Sequence, residues 1–186
     1  MISDFFKTVI NLKKIQRKGW IDKLSINNPE SVADHSYSMA VMGMVISDLE
    51  NYSSEKIIKM ILLHDLAESE IGDYTPGQIA PEKKNDLENK AFLKILENLP
   101  DSIKTKYLSI WKEYQENNSQ ESKIVHQLDR LEMALQAKTY ETEGHPKEKL
   151  ESFFESAKNE ITHPKLKELF RNIVEDTQCQ KLKKTN

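Results

Sequence analysis

The sequence predicts an all-α protein. Apolar residues recur at three- and four-residue intervals through most of the chain, and no run alternates like a strand over more than a few residues. Ser, Asp or Pro stands near the start of most of these segments, where helix caps belong.

From Asp4 to about Ile15, the positions Phe5, Val9 and Leu12 define a first amphipathic helix, with Ser3 or Asp4 as its cap. Gly19 and Asn27-Asn-Pro-Glu30 break the pattern, so residues 17–33 read as a loop displaying Arg17, Lys18, Trp20 and Glu30. A second helix begins among Ser31–Asp34, and His35 in its first turn shares a face with Met39 and Met42. Taken singly, a first-turn histidine is better explained by an ordinary surface position.

After Ser53 and Ser54 comes a helix that the sequence carries to Gly72. Ile57, Ile58, Met60, Ile61, Leu62 and Leu63 lead, with no Gly or Pro, into His64-Asp65. Two titratable residues at the end of an apolar run require compensation, because an unpaired polar or charged group in a low-dielectric interior costs several kcal/mol. A hydrogen-bonded core histidine and a bound cation both satisfy the pair taken alone. On a continuous helix Glu68, four residues on, shares the face of His64. Gly72-Asp73-Tyr74-Thr75-Pro76-Gly77 then has turn chemistry.

Residues 82–98 and 102–116 read as two further amphipathic helices with little functional content, divided by Leu99-Pro100-Asp101. From Gln120 to about Tyr140, Ile124, Val125, Leu128, Leu131 and Leu135 form an apolar side. Asp129 stands in a column with Val125 and Met133, either facing the core or reaching solvent at its edge. His145-Pro146 and His163-Pro164 open two terminal helices near 147–160 and 164–180, since Pro suits a first helical turn.

A chain of 186 residues with six Phe, six Tyr and two Trp can build one sizeable core, and one domain is expected. Its formal charge of −3 gives no basic footprint for nucleic acid. A single cysteine, Cys179, excludes an intramolecular disulfide and a cysteine-based zinc site. No apolar run approaches the length of a membrane span. These features predict a cytoplasmic protein.

His35, His64, Asp65 and Asp129 supply two imidazoles and two carboxylates from three helices. Nitrogen and oxygen donors without thiolate suit one divalent cation among Mn²⁺, Co²⁺, Fe²⁺, Zn²⁺ and Mg²⁺. The order His, His-Asp, Asp resembles the HD-domain superfamily of metal-dependent phosphohydrolases. Arg17-Lys-Gly-Trp20, Pro29-Glu-Ser-Val-Ala-Asp-His35-Ser, His64-Asp-Leu-Ala-Glu68, Ile71-Gly-Asp73 and Gln127-Leu-Asp129 narrow the resemblance to the 5′-deoxynucleotidases, the YfbR-like group.

The resemblance implies a single HD-domain helical bundle over residues 1–186, with a core of about 5–170 and a central metal site; a disordered tail of about 180–186 is expected from the Lys-rich terminus itself. It implies hydrolysis of deoxyribonucleoside 5′-monophosphates, metal ligation by His35, His64, Asp65 and Asp129, and proton handling by Glu68 and Asp73. Arg17 would hold phosphate. Trp20, His35, Asp65, Asp73, Tyr74, Thr75 and Pro76 would border the substrate, although Lys18 and Gly19 separate Trp20 from Arg17 where bacterial members have Trp directly after Arg. A homodimer is implied as well. The alternatives are an HD phosphohydrolase acting on another nucleotide or phosphate ester, and a non-catalytic metal-bound module that senses nucleotides or serves as a scaffold.

Overall fold

The structure is a computed structural model and describes residues 1–75 and 77–175. Pro76, Cys179 and the tail expected to be disordered lie outside the described residues. The described residues contain helices and no strands, as the periodicity predicts. They divide into two compact units, residues 1–125 and residues from 126 onward.

In the first unit, α1 (Ile2–Asn11) passes into a 3-10 turn (Leu12–Lys14). The expected loop 17–33 instead contains a helix, α2 (Lys18–Leu24), closed by Ser25 in the left-handed region at φ 58°. Trp20 and Leu24 account for the difference. Both are buried, and the gain from covering them outweighs the helix cost of Gly19.

α3 (Val32–Glu50) starts with a capping box in which Ser31 accepts from the Asp34 N–H and Asp34 accepts from the Ser31 N–H. Just before it, Gln16 and Ser31 form an isolated antiparallel bridge, flanked by Arg17 N–H to Glu30 carbonyl (3.0 Å) and Val32 N–H to Ile15 carbonyl (2.8 Å). This short pairing holds Arg17 close to the start of α3, where His35 sits.

α4 (Ser54–His64) is capped by Ser53 and packs against α3 and α7 (Asp101–Glu116). It ends at His64 rather than Gly72. Asp65 leaves the helical region at φ −108°, ψ 11°, and a separate single-turn helix α5 (Glu68–Ile71) follows. The placement of Glu68 therefore comes from a turn between two helices, not from a shared face of one. α6 (Pro81–Leu96) and α7 supply Phe92 and Trp111, whose rings stack at 4.3 Å, and the Trp111 indole donates to Asn89 at 2.7 Å. These join Phe5, Leu12, Val32, Leu63, Leu66, Ile95 and Leu96 in one core.

α8 (Gln120–Thr142) begins in the first unit and continues into the second, which also holds α9 (Lys147–Glu160) and α10 (Pro164–Glu175). Within that unit Leu128, Leu131, Ala134, Ala137, Leu150, Ala157 and Leu166 are buried, whereas Leu135, expected on the apolar side of α8, is 39% exposed. Oε1 of Gln127 accepts from the main-chain N–H groups of Thr162 and His163, both at 2.7 Å, and so fixes the turn between α9 and α10.

Candidate active site

His35 is fully buried one turn into α3, and Met39 is buried with it while Met42 is half-covered. His64 is buried at the last position of α4. Its Nδ1 lies 2.6 Å from the carbonyl oxygen of Ile61, so that N–H donates to the carbonyl and Nε2 keeps its lone pair. That is the tautomer a metal ligand needs.

Asp65 follows immediately, and the break in the helix turns its carboxylate toward both histidines. Its Oδ2 is 3.1 Å from His64 Nε2 and 3.9 Å from His35 Nε2, while the two rings lie 5.5 Å apart. His64 Nε2 is buried and makes no hydrogen bond. Two imidazoles and a carboxylate converging in this way fit a divalent cation. A guanidinium N–H of Arg17 donates to the same Oδ2 at 3.2 Å. Burial alone would raise the Asp65 carboxyl, but His64 and His35 in their protonated forms, together with Arg17, outweigh it and hold it below the usual carboxylate range.

Glu68 is 3% exposed at the start of α5, and its Oε2 finds no hydrogen-bond partner among the described residues. Burial, together with the negative charges of Asp65 and Asp73, pushes its carboxyl well above the ordinary range. Gly72 then turns the chain at φ 81°, a conformation that side-chain-bearing residues rarely adopt. Beyond it the Asp73 carboxylate accepts from the Lys18 N–H at 2.7 Å. Thr75 Oγ1 donates to Asp22 at 3.1 Å. Trp20 is 1% exposed and donates its indole N–H to Glu30 at 2.8 Å, so it packs within the wall rather than lining its surface.

Arg17, His35, His64, Asp65, Glu68 and Asp73 are thus brought together in the first unit. Asp129 belongs to the second, where it is largely covered on α8 and lies 3.3 Å from Arg130. His126, His145 and His163 also lie in that unit. Three neighbours escaped the sequence reading. Lys84 and Glu88 of α6 pair at 3.4 Å beside the acids, and Tyr114 of α7 sets its ring against His64 at 5.8 Å. The Lys84-x-x-x-Glu88 spacing was visible, but it is indistinguishable from a solvated helix pair until the loop after Gly72 is in place.

The profile of the HD domain family matches residues 9–170 and runs through both units. The chain is similar to human 5'-deoxynucleotidase HDDC2, at 37% identity over 170 residues, covering 91% of this chain and 82% of that protein. The protein of the same name from Dictyostelium discoideum is 38% identical over 184 residues, covering 93% of this chain and 96% of its own length. Among solved structures, the PH0347 protein from Pyrococcus horikoshii OT3 superposes with a TM-score of 0.77 at 31% identity, covering 93% of this chain and 98% of that one.

Proposed function

This chain belongs to the HD domain family, and from that premise we propose that it is a 5′-deoxynucleotidase, removing phosphate from deoxyribonucleoside 5′-monophosphates. The observation that carries the reading is the Asp65 carboxylate: a single oxygen faces two imidazole Nε2 atoms and a guanidinium. A structural metal would need the first two; the third suits a site that also takes an anion. HD-domain phosphohydrolases are metal-dependent, and His35, His64, Asp65 and Asp129 would hold one divalent cation drawn from Mn²⁺, Co²⁺, Fe²⁺, Zn²⁺ and Mg²⁺.

A cation bound there supplies positive charge for the phosphoryl oxygens and acidifies water. Arg17 gives up its hold on Asp65 to take two phosphoryl oxygens in its planar fork. Its approach also brings the phosphate close to Glu68, whose carboxyl burial and the charges of Asp65 and Asp73 push upward, toward holding a proton. Water attacks phosphorus, the bond from phosphorus to the 5′ oxygen breaks, and Glu68 delivers its proton to that leaving oxygen. Asp73, held by the Lys18 N–H, orients the incoming water and receives its proton. His35 and Asp65, with Asp73, Tyr74 and Thr75 of the loop after Gly72, border the sugar and phosphate, and Trp20 supports that wall through Glu30.

Among the described residues no helix is long and apolar enough to cross a membrane. A homodimer belongs to the same reading, supported by an exposed apolar row of Tyr37, Val41, Met44 and Val45 along α3. A cytoplasmic location belongs to the same reading, supported by the single cysteine. Phosphate release over a panel of ribo- and deoxyribonucleotides, each with Mn²⁺, Co²⁺, Mg²⁺ or Zn²⁺, tests the activity. Release from deoxyribonucleoside 5′-monophosphates is expected. Release from none of the panel with any of these metals would overturn it in favour of a nucleotide-sensing or scaffold role.

A further inference from the structure

Two charged residues of α6, Lys84 and Glu88, stand beside the acids of the site without a part in the chemistry above. A Lys-Glu pair four residues apart on an exposed helix is common and contributes little. This pair is different in its surroundings. The Lys84 and Glu88 side chains are 33% and 18% exposed, and Lys84 Nζ also donates to the main-chain carbonyl of Tyr74 at 3.1 Å. Tyr74 follows Asp73 in the loop whose carboxylate the Lys18 N–H holds.

That loop has reason to move away. Asp65, Glu68 and Asp73 gather three acidic groups, and Gly72 gives the backbone before Asp73 a freedom that other residues lack. An ammonium fixed on the neighbouring helix counters both tendencies, since it binds the loop's main chain and attracts its acids. Burial by itself would make Lys84 easier to deprotonate, yet the charge of Glu88, with those of Asp65 and Asp73, outweighs burial and raises it.

We propose that Lys84 is a positioning residue: steadied by Glu88, it anchors the Gly72–Thr75 loop through the Tyr74 carbonyl and so fixes the Asp73 carboxylate beside the Arg17 segment. The interaction is a charge-assisted hydrogen bond from a fixed helix to a short loop. Lys84 acts through the backbone and needs no contact with substrate. Only the kinetic arm of the following test rests on the nucleotidase reading.

Amide hydrogen exchange on the metal-free protein reads the loop directly. Lys84→Met should speed exchange in peptides covering Gly72–Thr75 while leaving the α3 segment around His35 at the parental rate. With deoxyribonucleoside monophosphate and metal, the same variant should lose roughly ten- to a hundredfold in kcat/KM, the worth of one hydrogen bond to a charged group, with its metal content unchanged. Lys84→Arg, which keeps a cation within reach of the carbonyl, should recover most of both effects. Glu88→Gln should give a smaller loss of the same kind, and adding it to Lys84→Met should cause little further change. Parental exchange in the loop of Lys84→Met would overturn the proposal, as would a Lys84→Arg variant no better than Lys84→Met. A parent protein that releases no phosphate from any nucleotide would overturn the nucleotidase reading alone, because exchange still decides the role of Lys84.

Discussion

The main-chain N–H of Lys18 donates to the Asp73 carboxylate at 2.7 Å, joining two segments 55 residues apart in the chain. Through this bond the first turn of α2 and the loop after Gly72 form one wall, with Arg17 and Asp73 on it. No change of the Lys18 side chain short of proline removes that main-chain donor. Position 18 therefore separates two questions, whether its charge matters and whether its backbone does.

Arg17→Lys should lower kcat/KM by about ten- to a hundredfold while metal stays bound, since an ammonium keeps the charge and loses the two-point fork. Replacing Arg17 and Lys18 together by Ala should cost more than Arg17→Ala alone if the Lys18 side chain partly covers for the guanidinium. Steady-state kinetics with metal analysis of each variant decide it, and unchanged efficiency in the double variant would mean that phosphate is held elsewhere.

Asp129→Ala should abolish metal retention and activity while the far-ultraviolet circular dichroism stays helical. The substitution removes a carboxylate that the reading assigns to the cation, and its site is only partly exposed on α8. Elemental analysis after gel filtration is the measurement. A full complement of metal in the variant would remove Asp129 from the ligand set.

Glu68 gives a prediction in pH. Its folded-state carboxyl is raised, so in metal-free protein the native state keeps a proton that the unfolded chain has released. That contribution to stability is complete below the unfolded value of about 4.3 and is lost as pH rises through the folded-state value. Glu68→Gln stays neutral, so its denaturation midpoint should decline less between about pH 5 and pH 8. With metal and substrate the same variant should turn over roughly 10² to 10⁴ times more slowly. Parallel pH profiles for parent and variant would show that Glu68 is not the proton carrier.

Trp20→Phe keeps most of the buried ring and removes the indole donor to Glu30. The expected loss is about 1–2 kcal/mol of stability in chemical denaturation, the range for removing one hydrogen bond to a charged group. A variant as stable as the parent would show that Glu30 gains nothing from the indole.

The long helices were legible because each pairs an apolar face with a capping residue or Pro, as at Ser31, Ser53, Pro81 and Pro164. The four proposed ligands and Glu68 could be named for a related reason: polar residues at inward-facing positions need a cause. α2 was hidden because Gly19 and Asn27-Asn-Pro29 mark a loop by local propensity, whereas burial of Trp20 and Leu24 is a tertiary effect. The break at Asp65 left no trace either, since no Gly or Pro stands between Ile57 and Ile71. Lys84, and Glu88 with it, were passed over because the Tyr74 carbonyl that Lys84 holds is main chain and belongs to no side-chain pattern.

The interruption between α4 and α5 sets a limit for anyone redesigning this protein. Residues 54–71 invite regularisation into one uninterrupted helix, a change that would add main-chain hydrogen bonds and raise thermal tolerance. In such a helix Asp65 would be rotated about 100° from His64 around the axis, and the two side chains could no longer address one point. The stabilised variant would be a hardier protein with its chemistry dismantled, and any stability screen run without an activity assay would select for it.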